Sequence, residues 1–270
     1  DILKIEKPLV WRLSDMWPIL GINHYEYDNS NNFLFSALEK FNLYKKKKLL
    51  NKKIKIIAPS FWIEKKIAEK VKESNWSVET IYTPIDDKIF KPLTEHEILL
   101  IKKKYNIDEN QKILCFCADD INDNRKGLSK IKKIFESNLI KEKVLLLTIG
   151  KNKSNEENLN NLNIRNLGYL NSSKEINKIF NISDFLILFS EIDNLPQVGL
   201  EAQMAGLPVI TFKHSGLAEI IEDNKTGFYV EDNSLSRSFT ASAADLEPVH
   251  TDSKPAHIAS ENTPYCKWLG

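Results

Sequence analysis

Residues 185–210 read FLILFSEIDNLPQVGLEAQMAGLPVI. The segment opens with a continuous apolar run, continues through a polar stretch at residues 191–196, and then takes on the composition of a helix up to Ala205. Gly206 suits the end of a helix, and Pro208 stops the helix and returns the chain to another apolar run. The segment therefore predicts a strand, a loop and a helix in succession, which is the repeating unit of a parallel α/β sheet.

The loop of such a unit lies at the carboxyl end of its strand. There the following helix presents unpaired backbone N–H groups, and a phosphate suits that position. Asp193 in the loop and Glu201 in the helix add carboxylates that can accept hydrogen bonds from the hydroxyls of a sugar and of a ribose. The alternative is structural: Asp193 or Asn194 caps the helix, Pro196 occupies its first turn, and Glu201 is an exposed helical glutamate.

The chain before residue 234 repeats this alternation of strands and helices. Several apolar runs are continuous, as in strands that are covered on both faces. The predicted strands are residues 8–13, 54–58, 78–82, 113–118, 144–149, 164–169, 185–189, 208–211 and 227–230, and the predicted helices are residues 59–74, 128–137, 173–180, 195–205 and 216–222. The sequence therefore predicts parallel sheets flanked by helices.

Composition narrows the possible functions. The chain has 270 residues and a formal net charge of +1, so no overall field attracts nucleic acid. The four lysines at residues 45–48 are interpreted as solvated surface. No apolar run approaches the roughly 18 residues of a membrane span, and the first residues lack a signal-peptide layout. We expect a cytoplasmic protein, and contact with the inner face of a membrane stays open.

The cysteines do not predict a disulfide or a zinc site. Their number is odd, and they are Cys115, Cys117 and Cys266. The first two are separated by one residue in a predicted strand, so their side chains point to opposite faces. Two neighbouring acids, Asp119 and Asp120, are interpreted as a solvated loop rather than a metal site.

Two changes in the sequence divide the chain. The alternation is interrupted by prolines and charges over residues 82–94, where we place a domain boundary. From residue 234 onward the sequence is rich in Ser, Ala, Thr and Pro and has no sustained periodicity. We predict that residues 234–270 form a poorly ordered or non-native tail.

The segment quoted above closely resembles the signature of glycosyltransferase family 4. In that family an acid, seven further residues and a glutamate precede a small-residue helix end and a Gly-x-Pro-Val motif. Asp193, Glu201 and residues 206–209 match these elements. The resemblance continues through residues 215–221 and 226–228.

The resemblance implies a GT-B fold with two Rossmann-like α/β domains. Residues 1–92 then form an acceptor-side domain and linker, and residues 93–233 form the nucleotide-sugar-binding domain. Residues 8–18 resemble a strand and loop of the acceptor domain. Relatives have further strands and a glycine-rich loop before this point, so the resemblance implies an incomplete first domain.

The resemblance also implies a donor site. Asp193, the candidate catalytic residue, orients the sugar, and Glu201 binds the ribose. Lys126, followed by Gly127, reaches the diphosphate. Many relatives carry an arginine where Ile121 stands here, and Arg125 is a candidate substitute. The other donor-binding candidates are Gly168 and Tyr169 beside the base, Asn194 and Leu195 after Asp193, and Ser215 and Gly216 in a second loop.

The activity implied is transfer of a sugar from a nucleotide-diphosphate donor to a saccharide or lipid-linked acceptor, with retention of configuration. The resemblance implies neither a metal nor another cofactor. An inactive nucleotide-sugar-binding fragment or degenerate paralogue is the alternative, since Ser14 replaces a histidine that borders the donor in relatives. An epimerase or a phosphorylase of similar fold fits the pattern of residues 193–208 less well.

Overall fold

The computed structural model describes residues 4–26, 33–136, 144–152 and 163–231. The chain divides into two compact units, of which the first comprises residues up to Thr83 together with 192–195, and the second comprises the remainder. The predicted tail from residue 234 and Cys266 lie outside the described residues. Within the described ranges no helix combines the length and the hydrophobicity that a bilayer span requires.

The first unit is built on a small parallel sheet. Its strands are β1 (Leu9–Arg12), β2 (Ile54–Ala58) and β3 (Trp76–Thr80), in the order β1-β2-β3, and its helices are α1 (Phe33–Leu50) and α2 (Phe61–Lys70). Apolar side chains of β2 and α2 pack together, and Ile54, Ile56, Ile63 and Ile67 are almost completely buried. Helix α2 begins after Ser60, whose hydroxyl accepts a hydrogen bond from the backbone N–H of Ile63.

Aromatic residues near the start of the chain belong largely to this core. The ring centroid of Trp11 lies 6.4 Å from those of both Trp17 and Trp76. Tyr25 is buried, and its ring centroid lies 6.2 Å from that of Trp62. Such ring pairs add packing energy to the burial of apolar area.

The second unit contains a parallel sheet of six strands. The strands are β4 (Ile113–Asp120), β5 (Leu145–Lys151), β6 (Ile164–Asn166), β7 (Phe185–Leu188), β8 (Val209–Phe212) and β9 (Gly227–Val230), and the helices are α3 (Glu95–Lys104), α4 (Leu128–Glu136), α5 (Ser173–Ile182) and α6 (Gln197–Met204). The strand order is β6-β5-β4-β7-β8-β9, so the direction of winding reverses between β4 and β7. This reversal creates the crevice in which doubly wound α/β folds bind ligands. The predicted α/β fold with parallel sheets is confirmed.

Several boundaries differ from the predictions. Helices α1 and α3 were not predicted, and the helix predicted at residues 216–222 is a short 3-10 helix, Ser215–Glu219. Helix α6 begins at Gln197, with Pro196 in the N-cap position and no side chain capping it. The structural alternative in which Asp193 or Asn194 caps this helix is therefore wrong.

Main-chain contacts join the loops that follow β4 and β7. Gly127 has a φ of 82°, and a Cβ atom there would lie 2.2 Å from the carbonyl oxygen of Phe189. The backbone N–H of Glu191 donates a hydrogen bond of 2.8 Å to the carbonyl oxygen of Arg125. Only glycine fits such a left-handed conformation at this closeness.

We predict that Gly127→Ala lowers the free energy of unfolding by about 3 kcal/mol, because the methyl group adds a clash with backbone to an unfavourable φ. Gly168→Ala is the matched control, since Gly168 has a φ of 71° but no atom within 4 Å of the added Cβ. Its expected cost is about 1 kcal/mol, from the backbone conformation alone. Urea denaturation measures both, and equal costs would contradict the role of the Gly127 contact.

Candidate functional site

The carboxyl ends of the six parallel strands lie at one edge of the second unit's sheet. The loops after β4, β6, β7 and β8 leave this edge, and most of the residues predicted to bind a donor lie in them. The strands of this sheet and the residues after β4, β6 and β8 belong to the second unit, and residues 192–195 group with the first.

Two neighbouring basic residues differ in their surroundings. The guanidinium of Arg125 forms an ion pair of 2.8 Å with Asp123, and 44% of the side chain is exposed. Lys126 is half-buried in the short 3-10 helix Asn124–Lys126. Ile121, at the position where relatives carry arginine, is buried against Gly150. Of the two basic residues, Lys126 is the more buried and is the one whose charge acts on the thiol of Cys117.

Glu201 supplies a half-buried carboxylate in helix α6. Burial raises the pKa of its carboxyl group. Within the described residues the carboxylate has no hydrogen-bond donor and no ion-pair partner. A partly desolvated carboxylate without a partner is costly, so this group is available to accept hydrogen bonds from a ligand.

The thiol of Cys117, near the end of β4, is affected by the charges of both Lys126 and Glu201. The pKa of the thiol is raised to about 12, chiefly by burial and also by the charge of Glu201, while the charge of Lys126 acts in the opposite direction. Both charged groups must lie close to the thiol to act on it. Cys117, Lys126 and Glu201 therefore form one small cluster of an uncharged thiol, a cation and an anion.

Sequence reasoning missed Cys117 as a member of this cluster. The signal was its position at the end of a continuous apolar strand that is followed by a basic loop. Side chains at such strand ends face the ligand edge in doubly wound folds.

Tyr169 and Gly168 follow β6 at the same edge. Tyr169 is 48% exposed, so its ring is not core packing. The ammonium of Lys151 lies 4.9 Å from the centre of this ring and forms an ion pair of 3.1 Å with Asp119. Beside Gly168 there is open space on the side where a Cβ would stand. The backbone of Gly168 can therefore be approached closely by a flat ligand.

Ser215 and Gly216 open the 3-10 helix that follows β8. Ser215 has a φ of 50°, an uncommon conformation for a residue other than glycine. The ring of the preceding His214 stacks on Phe212, with 5.4 Å between the ring centroids. His214 therefore lies against the sheet, and its neighbours carry backbone N–H groups at the ligand edge.

Residues 193–195 group with the first unit. Asp193 accepts a hydrogen bond from the backbone N–H of Asn194. The buried side chain of Asn194 accepts a hydrogen bond of 2.6 Å from Ser60 and donates one of 2.9 Å to the carbonyl oxygen of Ser14. Leu195 is half-buried. The Asn194 side chain thus has protein partners, and only its backbone remains for a ligand.

Comparison with known proteins gives a family. The family "Glycosyl transferases group 1" matches residues 97–263, more than half of the chain. A curated relative from Bacillus anthracis, N-acetyl-alpha-D-glucosaminyl L-malate synthase, is 25% identical over 167 residues, which cover 58% of this chain and 41% of the relative. The chain thus spans less than half of that protein's length.

Solved structures share the fold. Sucrose-phosphate synthase from Thermosynechococcus elongatus matches with a TM-score of 0.71 at 16% identity, over 90% of this chain and 60% of that chain. Anabaena Alr3699/HepE in complex with UDP matches with a TM-score of 0.67 at 19% identity, over 95% of this chain and 68% of that chain. The α/β fold is thus that of GT-B glycosyltransferases, and by its family match this chain belongs to the group 1 glycosyl transferases.

Proposed function

We propose that the protein transfers a sugar from a nucleoside diphosphate donor to a saccharide or lipid-linked acceptor, and that the donor binds at the carboxyl edge of the second unit's sheet. The observation that carries this proposal is the carboxylate of Glu201. It is half-buried, its pKa is raised by burial, and no described protein group pairs with it. The two neighbouring hydroxyls of a ribose would supply the missing donors.

The diphosphate is assigned to positive groups at the same edge. Lys126 lies close enough to Cys117 to lower the pKa of its thiol, and helix α6 begins without a side-chain cap. A lysine is a compact cation, and an uncapped helix start offers backbone N–H groups, so both favour phosphate oxygens. In the transferase reaction they would stabilise the charge that develops on the departing diphosphate.

The base is assigned to the side of β6. Tyr169 has an exposed ring and Gly168 has open space beside it, so a planar base can lie along this stretch. Anabaena HepE was solved in complex with UDP, so UDP is the first nucleotide to test on this chain. At 19% sequence identity the comparison supports a shared fold and not a shared donor.

The resemblance to family 4 supports three finer parts of the proposal. The reaction retains the anomeric configuration, with the departing phosphate taking the proton of the acceptor hydroxyl on the same face. Asp193 orients the donor sugar, and the backbone amides of Asn194, Leu195, Ser215 and Gly216 assist. Lys126 and backbone amides replace a metal as the source of positive charge. These assignments stay predictions.

A donor screen by thermal shift tests the nucleotide. The full chain is heated with UDP, with GDP and with their sugars. A nucleotide at about 100 times its dissociation constant stabilises the folded state by about 2.7 kcal/mol. We expect stabilisation by one nucleotide series, and absence of any shift with all of them would contradict donor binding by this chain.

Replacing Lys126 tests the phosphate assignment. We predict that Lys126→Ala weakens UDP binding by about 10- to 100-fold, because a hydrogen bond to a charged group contributes about 1.5–3 kcal/mol. Arg125→Ala is the matched control, since the neighbouring guanidinium is already paired with Asp123. Its expected effect is less than about threefold, the scale of an exposed ion pair. Isothermal titration calorimetry measures both, and a reversed ranking would show that Arg125 carries the phosphate.

Replacing Glu201 is predicted to have opposite effects on stability and on binding. Burial in the folded state raises the pKa of this carboxyl group above its ordinary value. The ionised form therefore destabilises the fold at pH values above the raised pKa, and this cost is absent below the pKa of the unfolded chain. Glu201→Gln removes that cost. We expect the unliganded variant to melt at a higher temperature than the wild type at pH 7.5, and the difference to vanish as the pH falls below the pKa of the carboxyl group in the unfolded chain.

UDP binding by the same variant should weaken by at least about tenfold, because an amide replaces a carboxylate that accepts two hydroxyls. Glu109→Gln is the control, since Glu109 is exposed in the same unit, and it should change neither quantity. A Glu201→Gln protein that binds UDP as tightly as the wild type would refute the ribose assignment, whatever its melting temperature.

A further inference from the structure

Helix α1 in the first unit presents an apolar face to solvent. Its large exposed apolar side chains are Phe33 at 84%, Leu34 at 69%, Leu38 at 53%, Phe41 at 54% and Tyr44 at 68% exposure. At 100° per residue they span an arc of about 140°. None of the 18 residues of the helix is buried. Contiguous apolar surface of this kind on a folded unit marks a place of interaction.

The orientation of the helix is fixed by two polar side chains on its opposite face. The carboxylate of Glu39 accepts hydrogen bonds from the backbone N–H groups of Gly21, Ile22 and Asn23 at 2.5–3.2 Å. The ammonium of Lys46 donates to the carbonyl oxygens of Trp17, Leu20 and Gly21 at 2.7–2.8 Å. Rotating the helix to bury its apolar arc would break all six bonds. The hydrogen bonds of Glu39 and Lys46 therefore keep the apolar face of α1 directed toward solvent.

Basic residues lie beside and among these apolar side chains. Lys40 and Lys47 are exposed on one side of the arc, and Lys45 and Lys48 are exposed within it toward the end of the helix. Glu39, the helix's only acid, faces inward. The ammonium of Lys45 lies 4.2 Å from the centre of the Phe41 ring. The aliphatic part of a lysine side chain can lie along an apolar ring while its ammonium group extends to a polar or charged environment. The lysines of α1 are placed to do this beside its exposed rings.

We propose that this face of α1 binds the surface of an anionic lipid bilayer, with Phe33, Leu38, Phe41 and Tyr44 in the interface and the lysines on lipid phosphates. Aromatic and leucine side chains combined with lysines are the composition of helices that lie in the plane of a membrane interface, and each lysine near an anionic surface adds to the attraction. Lys45, Lys47 and Lys48, interpreted from sequence as solvated surface, then have a ligand, whereas the same interpretation is wrong for Lys46, which is bonded inward. The proposal goes beyond sugar transfer and does not depend on it.

Sedimentation of the full chain with lipid vesicles tests the proposal. We expect binding to vesicles of phosphatidylglycerol mixed with phosphatidylcholine, little binding to phosphatidylcholine alone, and release by high salt. The double variant Leu38→Ser with Phe41→Ser should bind at least about tenfold more weakly. Lys47→Ala with Lys48→Ala should weaken binding to the mixed vesicles by a similar factor.

Helix α3 in the second unit supplies matched controls. Leu99 and Leu100 are 42% and 54% exposed there, so Leu99→Ser with Leu100→Ser removes similar apolar surface. Lys102→Ala with Lys103→Ala removes two lysines from its last turn. Both controls should bind vesicles as the wild type does. Circular dichroism and melting temperature should be unchanged in all four variants, because every replaced side chain is at least partly exposed.

Three results would overturn the proposal. The first is no preference for anionic vesicles. The second is equal losses from the α1 and α3 variants. The third is an α1 variant that changes the sedimentation coefficient of the free protein without changing vesicle binding, since that would make the face a contact with a second protein copy. UDP binding measured on the same variants should be unchanged, which separates a failure here from a failure of the donor site.

Discussion

The close approach of two loops at the reversal point of the second sheet governs the site. Gly127, after β4, lies against the carbonyl oxygen of Phe189, after β7, and the backbone of Glu191 is hydrogen-bonded to that of Arg125. Parallel strands bring their carboxyl ends to one edge, but a crevice forms only where neighbouring connections diverge to opposite faces. These contacts set the position of the Lys126 loop relative to the start of helix α6.

The electrostatics of the site follow from this packing. Lys126 and Glu201 come from different loops and helices, yet both act on the thiol of Cys117. The protein does not neutralise Glu201 with a described partner of its own, and burial keeps its pKa raised. Unpaired, partly buried carboxylates are unfavourable for stability and are concentrated where ligands bind. Of the two neighbouring bases, Arg125 is the weaker candidate because its side chain is exposed and forms an ion pair with Asp123, whereas Lys126 is half-buried.

Much of this architecture was predictable from the sequence. Each strand of the described residues corresponds to a predicted apolar run. Strands buried on both faces, such as β7 and β8, are marked by composition alone. The helix α1 was not predicted, because its inward face carries Glu39 and Lys46 while Phe33 and Phe41 face solvent, which inverts the usual pattern. Cys117 was missed because its role depends on which groups the fold brings near its thiol. Long-range contacts of this kind are not encoded in local periodicity.

The central claim is that a nucleoside diphosphate occupies the carboxyl edge of the second sheet, with its ribose on Glu201 and its phosphates near Lys126. A crystal structure of the full chain with UDP tests it most directly. The account predicts both ribose hydroxyls within hydrogen-bond distance, about 2.5–3.2 Å, of the Glu201 carboxylate, and phosphate oxygens at the Lys126 ammonium and the start of helix α6. UDP bound elsewhere on the unit, with the Glu201 carboxylate facing only solvent, would contradict it.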